Sequence, residues 1–340
     1  MENEPAVRER SAFIDNARAA LIVLVVLGHA IGNFGLGGEP PGEDVYRLLY
    51  AFHIPAFAFV SGLLAKPDVF SRKGLVRLGR LLAVYVAFQI PFFLVFGVRY
   101  PDRAGSLEAF LLYPTYALWW LVSLMSWHLM LPLFARGRSV WAALGSVLAA
   151  LALSLASGFV LADGLMLSLS RTFVFFPFFL TGFRATQQGW RVSSALWARA
   201  IALVVFVAAY LRLSEVDTFP LEKWLYATRG YGDLAVTGWE GPAFRLAITG
   251  IAAVLTLALL TLMPRRRLWL SDLGGRTLSV YLWHALIIYS ASTFGLLKSA
   301  RGSWPAALVT TAVLVLALGW GPLAEFTAAW LGGRRSAAKG

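Results

Sequence analysis

Hydrophobic positions in this chain fall into long, nearly continuous runs, and the polar residues gather in short stretches between them. A helix that crosses a bilayer needs about twenty mostly apolar residues. By that measure the pattern predicts spans at 17–36, 45–66, 75–98, 112–134, 139–160, 170–187, 195–213, 242–263, 276–297 and 304–331. The expected fold class is an all-α integral membrane protein of about ten transmembrane helices. One membrane domain is expected to fill 1–340, with 332–340 forming a short basic cytoplasmic tail. No internal repeat divides the spans into matching halves. The first run is expected to be a retained span, because acids mix with the arginines before it and no small-residue cleavage site follows. The longest polar stretch, about 213–241, holds Tyr226, Arg229, Tyr231, Asp233, Trp239 and Glu240. It reads as either a folded lid and recognition surface or an unstructured crossover.

Composition supports the same class. Of 340 residues, 59% are hydrophobic and 14% charged, against about a quarter charged in soluble domains. Thirteen Trp suit interfacial belts. The absence of Cys excludes disulfides, thiolate metal sites and a Cys nucleophile. The four histidines, His29, His53, His128 and His284, are too scattered to predict a metal site. A net charge of +12 raises the question of nucleic acid, but the charge is sided. With both termini in the cytoplasm, 20 of the 30 Lys and Arg fall on inner segments and the other ten outside. Glu39, Glu43, Asp44, Asp102, Asp163 and Asp217 are among the acids on outer segments. This bias sets orientation, so the expected partner is the lipid bilayer of the cell membrane and not nucleic acid.

Ionisable residues inside spans are costly and therefore candidates for function. Arg18 and His29 are eleven residues apart on the first span, which returns them to within roughly 20° of one face, about 16 Å along the axis. Asp15 and Asn33 extend the same stripe. In the second span His53 lies next to Pro55 and repeats at helical spacing with Phe57 and Ser61. Because the two spans run antiparallel, His29 and His53 are expected near one depth. Arg77 and Arg80 share a face at the start of the third span, with Arg72 and Lys73 close by. Such a cluster suits phosphate, and equally suits snorkelling to lipid headgroups. His128 and His284 are expected to be packing histidines, and Asp272 with Arg276 an ion pair at the start of the ninth span.

Four motifs together resemble the membrane-bound acyltransferase-3 family, and especially its fucose O-acetylase-like branch. They are Asp15-Asn16-Ala17-Arg18 followed by His29; Phe52-His53-Ile54-Pro55 with Phe59-Val60-Ser61-Gly62; Arg77-Leu78-Gly79-Arg80; and Tyr281-Leu282-Trp283-His284. The proline this family often places after the third motif is replaced by Ala83-Val84-Tyr85. The resemblance implies transfer of an acyl group, usually acetyl from cytoplasmic acetyl-CoA, to a hydroxyl of a sugar or glycan acceptor. It implies His29 as general base, since an imidazole with pKa of about 6.5 suits that task. Arg18, Arg77 and Arg80 would hold the CoA phosphates, and no metal is called for. His53 would orient His29, bind the acceptor or stabilise the oxyanion; an acyl-histidine relay is the covalent variant. The residues by themselves also fit a transporter or flippase of a glycolipid or polar solute, with intramembrane His and Arg lining its path.

Overall fold

A computed structural model describes residues 4–38, 40–101, 106–161, 165–215 and 221–330. The basic tail at 332–340 and the acids Glu39, Asp102, Asp163 and Asp217 lie outside the described residues. The long helices are α1 (Glu4–Asn33), α2 (Gly42–Leu63), α3 (Arg72–Arg99), α5 (Trp119–Phe134), α6 (Val140–Val160), α7 (Leu169–Gln187), α8 (Leu196–Ser214), α10 (Glu240–Leu262), α12 (Thr277–Thr293) and α13 (Trp304–Leu318). Short helices α4 (Leu107–Leu112), α9 (Leu221–Leu225), α11 (Ser271–Gly275) and α14 (Gly321–Trp330) connect or follow them. No strand occurs among the described residues.

Seven helices among these residues are long and apolar enough to cross a membrane, or eight if a bent pair at the C-terminal end counts as one. Two expected spans fall short of that standard for physical reasons. Helix α12 has 17 residues. Helix α2 has 22 but carries Arg47, His53 and two tyrosines, and most of its residues are buried against other helices. A helix that meets protein on most sides has no need of a lipid-compatible surface. The expected continuous span at 304–331 is broken: Trp304–Leu318 and Gly321–Thr327 meet at 67°. The intervening Gly319-Trp320-Gly321-Pro322 explains the break, since glycine ends one helix and proline suits only the first turn of the next. The expected span at 112–134 is also interrupted, with a 3-10 turn at Tyr116–Leu118 before α5 begins at Trp119.

At the centre, α2 lies on α7. The contact is made by two glycines. A Cβ on Gly62 would stand 1.9 Å from the Phe179 carbonyl oxygen, and one on Gly182 would stand 2.0 Å from that of Phe59. The two segments, Phe59-Val60-Ser61-Gly62 and Phe179-Leu180-Thr181-Gly182, thus grip each other reciprocally, glycine against phenylalanine carbonyl. Only glycine permits backbones this close. Around this pair, Arg184 is 3% exposed and donates to the carbonyls of Phe134, Arg136 and Gly137. It satisfies the orphan end of α5, so a residue expected mainly to set orientation is also a structural clamp. Asn16 similarly ties α1 to the α10–α11 connection, donating to the carbonyls of Pro264 and Arg266 and accepting from Ser271. Asp272 pairs with Arg267 rather than with Arg276, which donates to the Gly319 carbonyl and so braces α12 against the end of α13.

The glycine contact predicts that Gly62→Ala and Gly182→Ala each destabilise the protein by about 1–3 kcal/mol or more. Gly145→Ala, with nothing within 4 Å of the added methyl, should be neutral or stabilising by up to ~1 kcal/mol. Thermal unfolding of the three purified variants in detergent checks this; equal midpoints would show that the close approach is not needed.

Candidate functional site

Helix ends gather at two cavities. The larger, about 540 Å³, lies where α1 ends and α2, α5 and α7 begin; its walls include Asn33, Tyr46, Tyr116, Arg171 and Tyr226. A second, about 290 Å³, reaches toward the other end of the bundle, where α2 finishes and α12 begins; its walls include Arg18, Leu81, His128 and Thr277. The two share four residues: His29, Ile54, Ala117 and Trp119. His29 therefore stands on a wall common to cavities that reach toward opposite ends of the bundle. A third cavity, about 410 Å³, is lined by Lys66, Arg77, Arg80 and His128. It shares Leu64, Leu81, His128 and Leu278 with the second.

The sequence-derived residues are thus distributed over three adjoining cavities. Arg77 and Arg80 occupy the third cavity, Arg18 the second, and His29 the junction with the first. Arg18 does not join the other two arginines; its guanidinium donates to the Thr277 hydroxyl at 2.8 Å. Arg77 is paired with Asp68 in a half-exposed ion pair, the kind worth little in water. His53 lines the same cavity as His29, but its ring lies against Tyr50, with centroids 4.8 Å apart.

The ring that His29 meets is that of His284, at 5.1 Å between centroids, with Tyr116 at 5.0 Å on another side. His284 is fully buried, and its Nδ1 faces the Val280 carbonyl at 2.7 Å. A carbonyl only accepts, so Nδ1 carries the proton and Nε2 presents a lone pair. That Nε2 has no partner, and neither does the buried Nδ1 of His29. The two rings are adjacent, but these two nitrogens are not hydrogen-bonded to each other. His53 is held in the same tautomer, its Nδ1 donating to the Leu49 carbonyl at 2.5 Å.

Tyr116 owes its place to backbone strain. Its φ of 53° lies in the left-handed region, which costs a non-glycine residue about 1–2 kcal/mol. Stacking on Tyr289 at 4.6 Å offsets that cost, and the hydroxyl accepts from Asn33 Nδ2 at 2.9 Å. The neighbouring Ala117 carbonyl accepts from the Tyr281 hydroxyl. Of the polar stretch near 213–241, residues 213–215 and 221–241 are described, and the part from Leu221 is folded against the helices. It is pinned by Arg47–Glu222 at 2.6 Å and by a 2.9 Å bond between the hydroxyls of Tyr46 and Tyr226. Burial pushes the Tyr226 phenol above its ordinary pKa, so it faces the cavity as a neutral group.

Three residues of this site escaped the sequence reading. The sequence assigns His284 to packing, although its place in the fourth motif marks it. Arg171 was one of ten basic residues given to outer segments; it sits in the first turn of α7, on the cavity wall. Tyr116 carried no sequence signal, because left-handed backbone at a tyrosine is not legible from residue type. Among the described residues, no group of three His, Asp or Glu is arranged to hold a metal ion.

Residues 11–324 match the family described as an acyltransferase domain, acyltransferase 3. No curated protein and no solved structure matches the chain. The family match covers nearly the whole length, including every helix that builds the three cavities, and the apolar helices point to a multi-pass membrane protein. The chain belongs to the acyltransferase-3 family of membrane acyltransferases.

Proposed function

We propose that this protein moves an acetyl group from cytoplasmic acetyl-CoA to a sugar hydroxyl on the outer side of the cell membrane, with His29 as the general base. The single observation that supports this best is the position of His29 on the wall common to two cavities that reach opposite ends of the bundle. A thioester from one side and a hydroxyl from the other would meet at one imidazole.

The basic end suits the donor. Arg77, Arg80 and Lys66 line one cavity beside the Ser71-capped start of α3, whose dipole adds to the positive field. Guanidinium forks match phosphate oxygens. Arg18 stands further in, on the way from that cavity to His29. The mostly apolar second cavity suits the pantetheine arm and its thioester.

In this reading His29 takes the proton of the acceptor hydroxyl as its oxygen attacks the acyl carbonyl. The carbon–sulfur bond then breaks, and the same proton returns to the departing thiolate, giving the ester and free CoA thiol. His284 acts on His29 as a positioning residue: when substrate binds, its Nε2 lone pair receives His29 Nδ1–H, a bond that is open in this structure, and this leaves the His29 Nε2 lone pair for the substrate. The contact of His53 Nδ1 with the Leu49 carbonyl favours one of its possible roles. With a lone pair at Nε2 it accepts from a sugar hydroxyl and has no proton for an oxyanion. The Tyr116 hydroxyl, which accepts from Asn33 and keeps its own proton, is better suited to that charge.

His29→Ala is expected to lower acetyl transfer roughly 10²- to 10⁴-fold, with membrane insertion and thermal stability unchanged; an active variant would remove the base from the scheme. Changing Arg77 and Arg80 together to Gln should raise KM for acetyl-CoA roughly tenfold or more and leave the acceptor's KM alone. Steady-state kinetics with each substrate varied separates the two, and an unchanged donor KM would contradict the clamp. For His284→Ala the expectation is a fall in kcat with both KM values retained, partly restored by Gln, whose side chain also offers an acceptor.

A further inference from the structure

The wider cavity holds a cation that no carboxylate among the described residues neutralises. Arg171 lies in the first turn of α7, and its guanidinium sits over the ring of Trp119, 4.5 Å from the centroid. Its Nε donates to the Tyr226 carbonyl at 3.0 Å. Nη1 and Nη2 find no protein acceptor among the described residues, and the residue lines the cavity. Its titratable neighbours, Tyr46, Tyr50, Tyr226 and Tyr281, are phenols and not carboxylates. No Asp or Glu among the described residues lines this cavity, whereas a second cation, Arg301, does.

Three other arginines, all buried, are well supplied with partners. Arg47 is paired with Glu43 and Glu222. Arg184 is saturated by carbonyls. Arg245 reaches the Ser154 and Arg229 carbonyls and the Ser157 hydroxyl. A guanidinium stays charged under all ordinary conditions, and an enclosed charge without a counter-charge is strongly unfavourable. The plane of Arg171 is already fixed by Trp119 below and by the Tyr226 carbonyl at one edge. The edge left over is the two-nitrogen fork that binds carboxylate and phosphate bidentately.

We propose that the acceptor entering this cavity is an anionic saccharide, and that Arg171 binds its carboxylate or phosphate while the surrounding tyrosines and Trp119 pack against the sugar ring. This rests on the acyl-transfer reading and narrows its acceptor from any glycan to a charged one. The fixed fork also orients the acceptor, because anchoring the anion at Arg171 limits which hydroxyl arrives at His29.

The test uses the full-length protein in native membranes with labelled acetyl-CoA. The labelled product should be retained on an anion exchanger. Carboxyl reduction should release it if the charge is a uronate-type acid, and phosphatase or mild acid if it is a phosphate. Arg171→Gln should raise KM for the acceptor roughly ten- to hundredfold while KM for acetyl-CoA holds, and Arg171→Lys should recover part of the loss. Label appearing in a neutral product overturns the proposal and leaves acyl transfer standing. If no product is labelled, the transfer reading falls and binding decides. Purified protein is then heated with glucuronate, glucose 1-phosphate or glucose. Stabilisation by either anion but not by glucose, lost in Arg171→Gln, sustains the anion site; no such difference overturns it.

Discussion

A polar side chain enclosed by apolar helices must be satisfied by protein or be aimed at something that will satisfy it, because water is not there to do so. This chain obeys the first condition at most positions and departs from it at a few. Arg47, Arg184 and Arg245 are supplied with carboxylates, carbonyls or hydroxyls and serve the architecture. Three departures, Nδ1 of His29, Nε2 of His284 and the outer fork of Arg171, fall at the candidate site, while Tyr85, Ser154, Arg199, Thr256 and Thr293 carry others elsewhere. The first two belong to adjacent rings, and the third shares a cavity with His29. Unsatisfied groups that cluster are a stronger sign of chemistry than any of them alone.

What lets them cluster is the grip between α2 and α7. Gly62 and Gly182 bring two backbones together near one end of the bundle, and toward the other end the same helices diverge in role, α2 presenting His53 and Tyr50 and α7 presenting Arg171. The Tyr116 turn, strained but braced by Tyr289, Asn33 and Tyr281, closes the remaining side against His29. The cavity is therefore shaped by tight contacts that lie outside the reacting groups.

Much of this was legible in the sequence, and the rest was hidden for definite reasons. Apolar runs located the helices because lipid exposure writes itself into composition, and α2 was found although it carries Arg47 and His53 and is largely buried against other helices. The break at Gly319-Trp320-Gly321-Pro322 was present in the residues but outweighed by the apolar run on each side. Helical periodicity put Arg18 and His29 on one face, since that relation is internal to a single helix. It could not put His284 beside His29, because α12 and α1 meet only through the folding of some 250 intervening residues. Arg171 was hidden by its position at a span boundary, where an arginine is ordinarily a solvated charge.

The central claim is that His29 separates a cytoplasmic donor cavity from an outward-facing acceptor cavity. The chain has no Cys, so single cysteines report accessibility without background. Tyr226→Cys and Leu278→Cys, one in each cavity, should be treated with a membrane-impermeant maleimide in intact cells and in inside-out vesicles. The account predicts labelling at 226 only in intact cells and at 278 only in inside-out vesicles. Labelling of both positions from the same face would contradict it.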